Sequence, residues 1–185
     1  MHCINMNPAG NNTVPSAGRK IQFIVVHYTA TAASDMGNAL RIAQFFGQST
    51  ENPSADFVVD NELVVQFNPD LGNRCCKHCG GGPLSGLCTN ENSIGIELCS
   101  ENTAKEITYP GDPRYSFTDA VLENAAELIR HLMAEYHIDL SRVVRHYDVS
   151  GKLCPGVPGW YGPEAPCWTE FKKCLLPADQ SGRSR

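Results

Sequence analysis

The sequence predicts an α/β domain, a single mixed central β-sheet flanked by helices. Short apolar runs rich in β-branched residues alternate with amphipathic stretches along the chain. A hairpin signal sits between two such runs, and one long segment has clear helical periodicity. The first run, Ile21 to Tyr28, reads as a buried strand that delivers His27 at its end. Ser34 to Gly47 places Met36, Leu40, Ile42, Ala43 and Phe46 at roughly helical spacing, with Ser34 or Asp35 as cap. Phe57 to Asp60 and Leu63 to Phe67 flank Asn61-Glu62, a hairpin turn. Asn68 to Asn92 reads as a long loop rich in glycine and cysteine. Ser93 to Leu98 reads as a further strand, and Asn102 to Arg114 as polar loop with a turn at Pro110-Gly111-Asp112-Pro113. From Thr118 to Tyr136, Val121, Leu122, Ala125, Leu128, Ile129, Leu132 and Met133 fall on one helix face, with Thr118 or Asp119 as cap. Arg142 to His146 is a brief strand, Asp148 to Pro163 a Gly/Pro loop, and Glu164 to Cys174 a short closing helix.

Residues 1–19 read as a loose arm, 20–177 as the one domain, and 178–185 as a polar tail. A chain of 185 residues buries enough surface for a core without disulfides. Acids outnumber bases 20 to 15, for a net charge of −5. No basic stripe is expected, and with it no nucleic-acid partner. No window approaches the ~20 apolar residues of a membrane helix. The polar first 19 residues lack an apolar core segment, so the expectation is synthesis in the cytoplasm without a signal peptide, and no membrane partner.

Nine cysteines are present, an odd number. In a reducing compartment they read as free thiols with one or two metal ligands among them. Cys79 with Cys88 is the best candidate for a disulfide, and Cys76-x-x-Cys79 has metal-like spacing, with Cys75, Cys88 or Cys99 as companions. Of six histidines, His131 and His137 read as surface residues of the long helix and His2 as incidental. His27 and His146 each follow a buried run and precede a loop, where a sheet presents functional groups. Eight residues beyond His146 comes Cys154. Two imidazoles and a thiolate are a recognised ligand set for catalytic zinc. On spacing alone, Cys154 reads equally well as a core cysteine, and Lys152 as a solvated lysine.

Four ordered blocks sharpen that reading: Val25-Val26-His27-Tyr28-Thr29-Ala30-Thr31, Ser54 to Asp60, Asn92 to Leu98, and Arg145-His146-Tyr147-Asp148-Val149 with Lys152 and Cys154. Together, over about Ile21 to Phe171, they resemble the zinc-dependent N-acetylmuramoyl-L-alanine amidase family, which includes phage lysozyme-type amidases and peptidoglycan recognition proteins. The resemblance implies that His27, His146 and Cys154 ligate one Zn²⁺ per chain and that Lys152 stabilises an oxyanion. It also implies a general base. Some members use a tyrosine where this chain has Ala55, others a glutamate where it has Glu97, so Glu97 takes the role. Strand alternation puts Ile94, Ile96 and Leu98 on the face opposite Glu97. His78, in Lys77-His78-Cys79-Gly80, matches a position implied to line the substrate cleft. Two departures stand out: Asp56 replaces a histidine of many relatives, and Lys77 replaces an aromatic residue. The implied function is hydrolysis of the amide between N-acetylmuramic acid and L-alanine in peptidoglycan, by a monomeric phage or prophage endolysin. The rivals are a cytoplasmic muropeptide-recycling amidase, a non-catalytic peptidoglycan-binding module, and a redox or structural-zinc protein built on the cysteine-rich loop.

Overall fold

The computed structural model describes residues 3–5, 12–31, 38–80, 86–104 and 106–176. Ten short strands and four helices occur in these residues. A six-stranded mixed sheet forms the centre, in the order β1 (Cys3–Asn5), β5 (Val64–Gln66), β4 (Phe57–Val59), β7 (Ser93–Leu98), β3 (Phe23–Tyr28) and β10 (Val143–Arg145). β4, β7, β3 and β10 run parallel; β5 turns back antiparallel to β4, and β1 follows β5. Small ribbons pair β2 (Val14–Pro15) with β6 (Arg74–Cys75), and β8 (Glu101–Asn102) with β9 (Tyr115–Ser116).

The expected hairpin is present. Val59 faces Val64, and the Asp60 carboxylate accepts the Glu62 and Leu63 amides at 2.8 and 2.7 Å. Its other oxygen accepts Ala39 N at 2.8 Å, so one aspartate ties the turn to the start of α1 (Ala39–Gln48). That helix is capped by Asn38, whose side chain accepts from Arg41 N. The caps expected at Ser34 or Asp35, and Met36, lie outside the described residues. α2 (Asp119–Tyr136) carries the long periodic pattern and is capped by Thr118. α4 (Pro166–Cys174) closes the fold.

Strand alternation divides the sheet chemically. Ile24, Val26, Tyr28, Phe57, Val59, Ile94, Ile96 and Leu98 face one way and pack with residues of α2 and α4 in the main core. On the other face, Val58 and Val65 pack with α1, while Val25 joins Cys79, Cys88 and Val149. The functional candidates lie on this second face.

Three expectations need correction. Part of the segment read as a loose arm is built into the fold. Cys3–Asn5 pairs in the central sheet, and buried Asn12 donates from Nδ2 to Phe46 O at 2.8 Å. The Asn68 to Asn92 stretch is not loop throughout, since it contains β6 and a 3₁₀ turn at Asn90–Asn92. His146 does not end a strand but opens a short helix, α3 (His146–Ser150), inside what read as strand and loop. A backbone ladder needs no particular side chains, so three-residue pairings such as β1 leave little trace in hydrophobic pattern. The expected tail 178–185 and His2 lie outside the described residues.

Candidate metal centre

β10 pairs in parallel with β3, placing Arg145 opposite Val26. His27 and His146 therefore emerge side by side at the carboxyl ends of adjacent strands, with ring centroids 4.7 Å apart. Arg145 fixes the entry to α3. Its Nε and Nη2 donate to the Asp148 carboxylate at 2.9 and 2.5 Å, and its Nη1 to the Trp160 and Gly162 carbonyls. The loop beyond α3 returns so that Tyr147 N donates to Cys154 O at 2.8 Å. His27, His146 and Cys154 thus converge: each is buried, and one potential ligand atom from each lies within 4.8 Å of the others.

The donor set fits a zinc ion. Cys154 Sγ lies 3.6 Å from His27 Nδ1. Tetrahedral bonds of about 2.3 Å to sulfur and about 2.0 Å to nitrogen would separate these two atoms by roughly 3.5 Å. The tautomer of His146 fits as well. Its Nε2–H donates to Gly80 O at 2.7 Å, and a carbonyl can only accept, so Nδ1 keeps the lone pair. Electrostatics point the same way. Burial, with the nearby His78, His146 and Lys152, holds the pKa of His27 well below the usual histidine value. Burial likewise lowers His146, and the Gly80 carbonyl only partly offsets it. Neutral imidazole is the form that ligates metal. Burial pushes the Cys154 thiol up, against a hydrogen bond from the Tyr28 backbone N–H. A divalent cation would reverse that preference and hold a thiolate there.

Glu97 faces the same side. It pairs with His27 across the β7–β3 ladder. Its Oε2 is buried and has no hydrogen-bond partner. Burial pushes its pKa up to about 8, with the Lys152 ammonium pulling it down. Lys152 is exposed, immediately after Gly151, which caps α3 in the left-handed region at φ 77°. Its charge acts on His27, His146, Glu97 and Cys154 alike, so it stands at the mouth of the site.

His78 joins the cluster from the side of His27. Its side chain is 1% exposed and lies behind His27, with Nδ1 3.2 Å from His27 Nε2. Gly95 makes room for it, since a Cβ there would stand 2.6 Å from His78 Cγ. Sequence reasoning missed the place of Asp56. It is fully buried, accepting Asn68 Nδ2 at 2.7 Å and Gly95 N at 2.8 Å. A carboxylate beside a buried apolar strand was the available signal. Ala55 packs under α1.

Among its described residues, the cysteine-rich loop does not assemble a second metal group. Among the described residues, the His27, His146 and Cys154 set is the group of three or more close ligand atoms. Cys76 packs with α1, whereas Cys79 and Cys88 pack with Val25 and Val149. Cys79 and Cys88 are both free thiols, hydrogen-bonded to one another. His131 is exposed beside Glu135, and His137 caps α2. A cavity of about 730 Å³ lies elsewhere, between α2 and α4, lined by Phe117, Trp160 and Phe171, and holds none of the ligand candidates.

A buried two-histidine, one-cysteine cluster beside an unpartnered carboxylate, at the carboxyl end of parallel strands, defines a candidate metallohydrolase centre. The chain belongs to the N-acetylmuramoyl-L-alanine amidase family, whose profile matches residues 17–157. It is 34% identical over 148 residues to the N-acetylmuramoyl-L-alanine amidase CwlH of Bacillus subtilis (strain 168), covering 80% of this chain and 52% of that protein. With the amidase XlyA of the same organism it shares 37% identity over 148 residues, 80% of this chain and 44% of the relative. The chain thus spans about half the length of these curated relatives. The solved catalytic domain of XlyA superposes with a TM-score of 0.70 at 33% identity, covering 95% of this chain and all of that one. Among the described residues, no helix is long and apolar enough to cross a membrane.

Proposed function

We propose that the protein is a zinc-dependent hydrolase of the amide between N-acetylmuramic acid and L-alanine in peptidoglycan, acting as a monomeric phage-type endolysin. The observation that carries this reading is the meeting of His27, His146 and Cys154 beside Glu97, whose carboxylate oxygen has no other partner. His27 and His146 as neutral imidazoles, and Cys154 as thiolate, would hold one zinc ion. Bound there, zinc supplies Lewis acidity toward the scissile carbonyl and the attacking water.

Glu97 accepts the proton of the water as its oxygen bonds to the carbonyl carbon. Burial raises the Glu97 carboxyl to about 8, which makes it a stronger base than an ordinary carboxylate for that exchange. Lys152 offers its ammonium to the oxygen that gains negative charge. Glu97 then passes the proton to the alanine nitrogen as the carbon–nitrogen bond breaks, which leaves a free amine on the peptide and a carboxylate on the sugar. Ala55 brings no hydroxyl, so no tyrosine shares the work at that position.

The test is a digest of purified peptidoglycan with and without chelator, followed by labelling of new α-amino groups. New amino-terminal alanine that disappears with chelator and returns with Zn²⁺ is the expected result. Cleavage of soluble muropeptides but not of intact wall would replace the endolysin with a recycling enzyme. Retained zinc with no cleavage of either substrate would leave a binding module.

A further inference from the structure

We propose that His78 and Ser93 form a one-way relay of donated hydrogen bonds, running from His27 to the Thr89 carbonyl, that holds His27 in its metal-binding tautomer. The relay is read from its far end. Ser93 Oγ lies 2.5 Å from Thr89 O. A carbonyl has no proton to give, so the serine must donate to it. The serine oxygen is then left to accept from His78 Nε2, 3.3 Å away. A neutral His78 with its proton on Nε2 has a bare Nδ1, and that atom faces His27 Nε2 at 3.2 Å. His27 therefore donates from Nε2, which leaves the lone pair on Nδ1, the atom that faces Cys154 Sγ.

Each link points away from the metal position, and the direction is set by one backbone group. The surroundings support it. Asp56 Oδ2 lies 4.0 Å from His78 Nε2 and favours a proton there. The Cys79 thiol also approaches His78 Nδ1, at 3.5 Å, a longer contact than that made by His27 at 3.2 Å. The bare Cα of Gly95 gives the His78 ring its space. His78 and Ser93 are thus positioning residues, because both act on the metal through His27. Partners of this kind commonly carry 10–100-fold in metal affinity, by rough rule.

This inference rests on the zinc reading of the site. Its test measures zinc affinity of the metal-free protein by competition with a chromophoric chelator, and the visible spectrum of the Co²⁺-loaded protein. His78→Asn keeps a side-chain acceptor where Nδ1 stands. His78→Gln moves the polar group out to where Nε2 stands. The relay predicts that His78→Gln weakens zinc binding by roughly 10–100-fold and shifts the Co²⁺ bands, while His78→Asn stays within about threefold of the wild type. Equal affinities for the two variants would overturn it, since a merely space-filling His78 would not distinguish them. Melting of the metal-free variants checks folding. Should either fail to fold, Ser93→Ala takes over: weakened zinc binding supports the relay, and wild-type affinity overturns it. A wild-type protein that binds no zinc would instead sink the functional reading itself.

Discussion

The two faces of the central sheet are made by alternate residues of the same strands, yet they are built to different ends. On one side, Ile24, Val26, Ile94 and Ile96 are fully buried among other apolar groups beneath α2 and α4. One residue along, His27 and Glu97 point the other way and carry unfavourable electrostatics: a histidine held neutral and a carboxylate without a partner. The first face contributes stability through area removed from water, at about 25 cal/mol per Å². The second gives some of that back. Buried groups that lack partners are costly unless a ligand compensates them. The fold thus places its strain where a cation and a substrate would relieve it.

The sharpest way to break this comparison is Cys154→Ala. It should abolish tight zinc binding and lower wall hydrolysis by more than about a thousandfold, while the metal-free protein melts near the wild type. Zinc retained at wild-type affinity would show that the polar face is not a metal site. Next comes Glu97→Gln, which should cost roughly 10²–10⁴ in turnover on purified peptidoglycan with zinc still bound. The same variant sharpens the comparison through pH. Glu97 is raised from its ordinary 4.5 to about 8. Its contribution to stability is therefore complete below about 4.5 and is lost as pH rises through about 8. Metal-free Glu97→Gln should match the wild type near pH 4 and exceed it above pH 8, by up to roughly 5 kcal/mol in denaturant titrations. An unchanged gap across that range would mean the carboxylate is hydrated.

Lys152→Met should lower turnover by about 10²–10³ with little change in zinc affinity or melting, because the side chain is exposed. Loss of metal instead would move Lys152 out of the oxyanion role. The smallest effect belongs to the other face. Ile96→Val should cost about 0.5–1.5 kcal/mol of stability and leave turnover at low temperature unchanged. If it altered turnover, the two faces would be coupled and the division above too simple.

Much of this division was legible in the sequence. The β-branched run ending at His27, the alternation that set Glu97 apart from Ile94, Ile96 and Leu98, and the periodicity of Thr118 to Tyr136 all arise from burial, which hydrophobic pattern reports. The meeting of His27, His146 and Cys154 was suggested by family resemblance, not by spacing. Other features were hidden for physical reasons. Cys3–Asn5 joins the sheet through backbone bonds, which side chains do not encode. The turn of His146 into α3 depends on the grip of Arg145 on Asp148 and on the Trp160 and Gly162 carbonyls, a contact across the chain. His78 drew notice through the family resemblance alone, because its glycine- and cysteine-rich stretch has no periodicity to report burial. Its burial follows from the missing side chain of Gly95, far along the sequence.

Both histidine ligand candidates lean on one short peptide: His27 on the ring of His78, and His146 on the carbonyl of Gly80. That peptide contributes no ligand, yet it spans the backs of two. A single proteolytic cut there would leave His27, His146 and Cys154 covalently in place and still loosen the grip on the ion. Grafting residues 78–80 between relatives would, by the same logic, carry metal affinity along with it.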